Sequence, residues 1–141
     1  MTNAESPRNP RRDELARLAR AVATGARGAG KLWRLANKDG RLTDAAGALI
    51  RQMRQAVIER DPSRRLGRQL TAIDSYLRDA PLPAFKAGTF RDRSAALRKR
   101  VHLLGAMPAD GRASTGRRLE REIAGLFADV IAEPTGDAAR R

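Results

Sequence analysis

Apolar residues recur at helical spacing over four stretches of the chain. Within each stretch they follow one another at steps of three, four or seven residues, which places them on one face of an α-helix. The stripe residues are Ala46, Ile50, Met53 and Val57; Leu66, Leu70, Ile73 and Leu77; Phe90, Leu97, Val101 and Leu104; and Leu119, Ile123, Leu126 and Val130. The spacing predicts helices over about 44–60, 62–79 and 90–106, and a fourth from after a turn at 107–111 to residue 133.

Capping signals support the boundaries of the second and third helices. Asp61 followed by Pro62 fits an N-cap with proline in the first helical turn, because proline lacks an N–H that would be unsatisfied there. The segment 80–83 contains two prolines and breaks the helical pattern. Thr89 and Asp92 then match the outline of a capping box, so the third helix is predicted to begin near them.

These elements predict an all-α fold. Short connections force sequential helices to lie antiparallel, which favours two helical hairpins, 44–79 and 90–133, packed as an antiparallel four-helix bundle with an extra N-terminal helical segment. The predicted organisation is a disordered basic tail at 1–10, an N-terminal amphipathic helical segment at 11–42, a helical bundle at 43–133 and a disordered tail at 134–141.

A short pattern occurs twice within the predicted bundle. Arg64–Ile73 and Arg117–Leu126 share the form RRLxRx(L/I)xx(I/L), 53 positions apart. Either a duplicated hairpin or two unrelated amphipathic helices rich in arginine would produce it.

The segment 11–42 combines a helical stripe with three interior glycines. Each such glycine costs a helix roughly 1 kcal/mol, so we expect a helix over about 12–24, a weak or kinked stretch, and a second helix over about 31–37. Arginines oppose the apolar residues, as in helices that lie on an anionic bilayer or against a partner protein. The residues expected to make that apolar contact are Leu15, Leu18, Val22, Leu32 and Trp33.

Composition adds a strong positive charge to this fold. The chain of 141 residues carries 29 Lys and Arg against 16 Asp and Glu, a net charge of +13. A field of that sign attracts polyanions such as nucleic acid, anionic lipid or an acidic protein face. Because 25 of the cations are arginines, codon bias in a GC-rich genome is a competing explanation for the charge.

Composition also excludes several classes of site. Because the chain has no Cys, it can form no disulfide, Cys-ligated zinc site or iron–sulfur cluster and has no thiol chemistry. Its single histidine, His102, supplies too few ligands for most other metal sites. No apolar stretch approaches the roughly 20 residues of a membrane-spanning helix. The first ten residues lack the apolar region of a secretory signal, so a cytoplasmic location is predicted.

Two motifs resemble ligand-binding loops but lack residues that the ligand needs. Residues 25–31 match GxxxxGK, but Leu32 stands where a phosphate loop needs Ser or Thr for magnesium. Residues 37–43 resemble the middle of a calcium loop, but Leu35 and Ala46 occupy the first and last ligand positions. No cofactor, metal ligand or catalytic residue is predicted, and the chain is interpreted as a non-enzymatic protein.

Basic clusters carry the leading functional hypothesis, which is binding of nucleic-acid phosphates. With only five aromatic residues the chain is poorly supplied for base stacking, so contact with phosphates is favoured. The clusters are Arg8, Arg11 and Arg12; Arg64, Arg65 and Arg68; Arg91, Arg93, Arg98, Lys99 and Arg100; and Arg117, Arg118 and Arg121.

Other interpretations of the same residues stay open. The N-terminal segment favours an adaptor for an acidic protein partner or an anionic membrane surface. Charged helix faces can serve solubility alone, and an Ala-rich bundle can equally bury one face in a homodimer.

Overall fold

The protein is all-helical in the part of the chain that its computed structural model describes, namely residues 17, 20, 21, 44–80 and 82–133. These residues contain no strand and form four continuous helices: α1 is Asp44–Ala56, α2 is Pro62–Asp79, α3 is Ala84–Gly105 and α4 is Ala109–Ala132. The predicted all-α class is therefore confirmed. The predicted tails at 1–10 and 134–141, and nearly all of 11–42, lie outside the described residues.

The second helix begins and ends where the sequence predicts. Asp61 is the N-cap of α2, and its Oδ2 accepts a hydrogen bond from the backbone N–H of Arg64 at 3.1 Å. The first helix is shorter than predicted, because α1 ends at Ala56 rather than near residue 60. Ile58 lies in the turn that follows, where its N–H donates to the carbonyl of Gln55 at 3.2 Å.

The predicted capping box at the start of the third helix is wrong. Helix α3 begins at Ala84, because the Pro83 carbonyl already accepts from the backbone N–H of Lys86 and of Ala87, at 3.0 Å each. Thr89 is thus inside the helix, and its hydroxyl donates to the Phe85 carbonyl at 2.9 Å, a bond that helical threonines commonly make.

The predicted turn at 107–111 is too long. Helix α4 begins at Ala109, directly after Pro108, and the N–H of Gly111 donates to the Pro108 carbonyl at 3.3 Å. Only two residues in addition to the N-cap therefore separate α3 from α4. The glycine and the aspartate that suggested a turn are accommodated in the first helical turn.

Helix α2 contacts the three other helices, and α3 also contacts α4. The predicted stripes form the core, since every stripe residue except Val57 is buried. Phe127 and Leu49, which the stripes omit, are buried with them, and Ala21 packs against the same core. The packing leaves one side of α2 facing outward between α1 and α3.

None of the helices in the described part of the chain is long and apolar enough to cross a membrane.

Candidate polyanion-binding surface

A cleft of about 580 Å³ runs along the outward side of α2, and we call it the α2 cleft. Gly67, Thr71 and Ser75 line it at intervals of four residues. Because one small side chain occupies each turn, this side of α2 is recessed between its neighbours. The remaining lining residues come from α1, α2 and α3 and are Gln52, Gln55, Ala56, Arg64, Arg68, Ala72 and Arg98.

Three arginines converge on the α2 cleft. Arg64 and Arg68 are one turn apart on α2, and Arg98 reaches the cleft from α3. Arg68 lies 3.6 Å from a carboxylate oxygen of Glu59, whereas Arg64 has no ion pair within the described residues. Since the Arg68 side chain is 65% exposed, that pair is loose enough to exchange its carboxylate for another anion.

A second cleft, of about 660 Å³, lies along α3 and shares Arg98 with the first. We call it the α3 cleft; its lining residues are Asp74, Arg91, Ala95, Arg98, Lys99, His102 and Leu103. The two clefts together form a continuous area, the α2–α3 basic surface, whose cations are Arg64, Arg68, Arg91, Arg98 and Lys99.

A hydrogen-bond network holds Arg98 at the junction of the clefts. Its Nη2 donates to Asp74 Oδ2 at 2.8 Å and to the Thr71 hydroxyl at 3.4 Å. Asp74 Oδ1 accepts from the hydroxyl of Ser94, which is fully buried between α2 and α3, at 2.6 Å. These hydrogen bonds therefore hold the guanidinium at the point where the two clefts meet.

A small cavity next to the α2 cleft is lined by polar side chains and by the Asp79 carboxylate. Tyr76 lies between α1 and α2, and burial raises the pKa of its phenol above the usual value, so the group stays neutral. It lines this cavity of about 110 Å³ together with Gln52, Ser75 and Asp79. Because Gln52 and Ser75 also line the α2 cleft, this cavity continues it along α1.

The structure does not bring every predicted cation to this surface. Arg65 and Arg100 instead face α4, where they pair with Glu120 and Glu122. The predicted arginines of α4 line neither cleft; they are Arg117, Arg118 and Arg121. The predicted contact residues in the N-terminal segment lie outside the described residues and are Arg11, Arg12, Leu15, Leu18, Val22, Leu32 and Trp33.

Sequence reasoning missed the neutral part of the surface. Gln52 and Gln55 are separated by one turn of α1 and border the α2 cleft, yet two glutamines in a polar stretch carry no signal of their own. The small residues at 67, 71 and 75 were detectable as a helical stripe on the polar side of α2.

The chemistry available at the surface is anion binding. Arginine offers a planar fork of N–H donors that matches phosphate oxygens, and the nearby amides and hydroxyls can donate as well. Within the described residues no group of three His, Asp or Glu side chains is placed to hold a metal ion.

Comparison with known proteins yields no relative, because no protein-family model, curated protein or solved structure matches the chain.

Proposed function

We propose that the protein is a non-enzymatic binding protein that contacts nucleic-acid phosphates through the α2–α3 basic surface. The observation that carries the proposal is the position of Arg98, which joins two clefts that are otherwise lined by separate groups of cations. Five cations share this surface with Asp74, and Glu59 lies beside it. Over the surface as a whole, a bound polyanion therefore meets more positive than negative charge.

Electrostatics supports a polyanion over a single small anion. The net charge of +13 attracts a long anion before contact, and each phosphate neutralised on the surface releases condensed counterions. Arg64 and Arg68 are about 6 Å apart along the helix axis, because four residues of helix rise that far. Two successive phosphates of one strand can thus be held at the same time.

We infer that α3 and α4 run antiparallel, as the predicted hairpin 90–133 requires, and that α2 and α3 run antiparallel, as the predicted antiparallel bundle requires. In support, Arg93 of α3 pairs with Asp129 of α4, and Arg100, seven residues later in α3, pairs with Glu122, which is seven residues earlier in α4. The contact of Ser63 with the carbonyl of Val101, at 3.5 Å, joins the start of α2 to the end of α3.

The N-terminal segment is proposed to dock on this bundle. The packing of Ala21 against the core supports that arrangement.

The test is binding of a fluorescently labelled DNA duplex by anisotropy across a range of salt concentrations. The double variant Arg64→Gln/Lys99→Gln removes two exposed cations of the surface that have no ion pair within the described residues. If both contact phosphates, the slope of log affinity against log salt falls by about 1.8, since each phosphate contributes about 0.9.

The matched control is Arg51→Gln/Arg54→Gln. These arginines are exposed on α1, line neither cleft and carry the same total charge. The control is expected to keep the wild-type slope. Equal loss in both double variants would contradict the proposal, because it would make net charge alone responsible.

Vesicles of anionic lipid form the second arm of the test. The alternative function, an adaptor that uses residues 11–42 on a membrane or an acidic protein, predicts binding that survives moderate salt. Binding to vesicles without binding to duplex would replace the proposed function with that alternative.

A further inference from the structure

Three neighbouring arginines in the middle of α4 lie outside the α2–α3 basic surface. Arg117, Arg118 and Arg121 are exposed, and none has an ion pair within the described residues. They lie within little more than one turn of helix, so their charges add over a small area. We call this group the α4 basic surface.

The α4 basic surface points away from the core. Arg117 and Arg121 lie two residues before and two residues after Leu119, which is fully buried, and two residues correspond to about 200° around a helix. On one flank of this surface, Glu120 pairs with Arg65 of α2, and on the other flank Glu122 pairs with Arg100 of α3. Between these two contacts, Arg121 faces outward.

The α2 cleft points away from the core on the other side. Ser75 lies nine residues after Leu66, about two and a half turns, so the two side chains project from opposite sides of α2. Leu66 is fully buried in the core that α2 shares with α4. The α2 cleft and the α4 basic surface are therefore separated by the thickness of two packed helices.

We propose that the protein bridges two segments of nucleic-acid duplex, one on the α2–α3 basic surface and one on the α4 basic surface. This inference rests on the proposed function. Each helix is about 10 Å across, so the surfaces lie roughly 20 Å apart on opposite sides. A duplex with a persistence length of about 50 nm cannot bend around so small a body to reach both. The second surface is thus open to a second segment.

In the test, the protein is mixed with a labelled duplex in solution and with beads that carry an unlabelled duplex. The label recovered on the beads measures how much duplex the protein bridges. Three double variants, each lacking two positive charges, are compared with the wild type: Arg117→Gln/Arg121→Gln, Arg64→Gln/Lys99→Gln and Arg51→Gln/Arg54→Gln. All six residues are exposed, so the fold is expected to persist, and circular dichroism checks this. Anisotropy with one duplex measures simple binding in parallel.

The wild type and the α1 variant are expected to recover the label. The α4 variant and the cleft variant are each expected to recover much less label than the wild type, because one surface has lost two of its cations, while both still bind one duplex through the other surface. Wild-type recovery by the α4 variant would overturn the proposal, since a dimer with one site per copy would behave in that way.

The same data separate the two proposals. A wild type that binds no duplex contradicts the proposed function and the bridging together. A wild type that binds with a salt-dependent affinity but recovers no label contradicts the bridging alone.

Discussion

Replacing Asp74 by Asn should strengthen binding of duplex DNA, and the matched change of Asp129 should not. Both carboxylates pair with an arginine of α3, Asp74 with Arg98 at 2.8 Å and Asp129 with Arg93 at 2.9 Å. Their side chains are 37% and 46% exposed, so each pair contributes at most about 1 kcal/mol to stability. The difference is location, because only Asp74 lines a cleft of the α2–α3 basic surface.

The expected magnitude follows from the distance to the bound phosphate. A phosphate on Arg98 would lie about 6 Å from the Asp74 carboxylate, and the repulsion between two unit charges at that distance in water is about 0.7 kcal/mol. Its removal corresponds to roughly a threefold gain in affinity before screening by salt. Asp129, in contrast, lines neither cleft. It also lies eight residues beyond Arg121 of the α4 basic surface, about 12 Å along the helix, which exceeds the screening length of about 8 Å in physiological salt.

The assay is anisotropy with a labelled duplex for Asp74→Asn, Asp129→Asn and the wild type at one fixed salt concentration. Asparagine keeps an oxygen that can accept the hydrogen bond from Ser94, so the buried contact between α2 and α3 is retained. Thermal unfolding confirms that the variants are folded. An equal gain in affinity for both variants would refute the reasoning, because the position of the removed charge would then have no effect. A loss of affinity for Asp74→Asn would refute it as well, because the carboxylate would then favour binding.

Three further predictions concern stability. Phe127→Ala should lower the free energy of unfolding by about 3–5 kcal/mol, because Phe127 is fully buried, whereas Phe85→Ala at a side chain that is 72% exposed should leave it nearly unchanged; denaturant unfolding compares the two, and equal losses would contradict the packing. Asp61→Ala should cost about 1 kcal/mol through loss of the N-cap of α2, whereas Asp61→Asn should cost much less. Because the raised pKa of Tyr76 reflects burial of the neutral phenol, its contribution to stability should be complete below pH 10, the ordinary pKa, and lost as pH rises through the raised value; Tyr76→Phe should abolish that loss, and the ionisation of this single tyrosine can be followed by absorbance.

The helices could be predicted from the sequence because burial imposes a periodic pattern on apolar residues. Helix ends were harder. Thr89 resembles an N-cap in sequence, yet the Pro83 carbonyl starts the helix earlier and turns the threonine hydroxyl into an internal donor. A local motif is thus overridden when a preceding residue already supplies the first helical hydrogen bonds.

The candidate surface was only partly predictable, because charge clusters in sequence do not state which way each side chain points. Arg64 and Arg65 are adjacent in the chain, yet one borders the α2 cleft and the other pairs with Glu120 of α4. Arg98 and Arg100 diverge in the same way, toward Asp74 and Glu122. Neighbours on a helix differ by about 100° in direction, so only the packing partners decide which cations share a surface.

The pattern that occurs twice in the sequence carries more of the geometry than the clusters do. In each copy an arginine stands two residues before and two residues after a leucine, Leu66 in α2 and Leu119 in α4. Both leucines are fully buried in one core, and Arg65 meets Glu120, so the two copies lie side by side. Because each leucine faces the shared core and its flanking arginines lie about 200° away around the helix, the arginines of both copies face outward. Two separate cationic surfaces are therefore a direct consequence of the repeated pattern, whether it arose by duplication or by convergence.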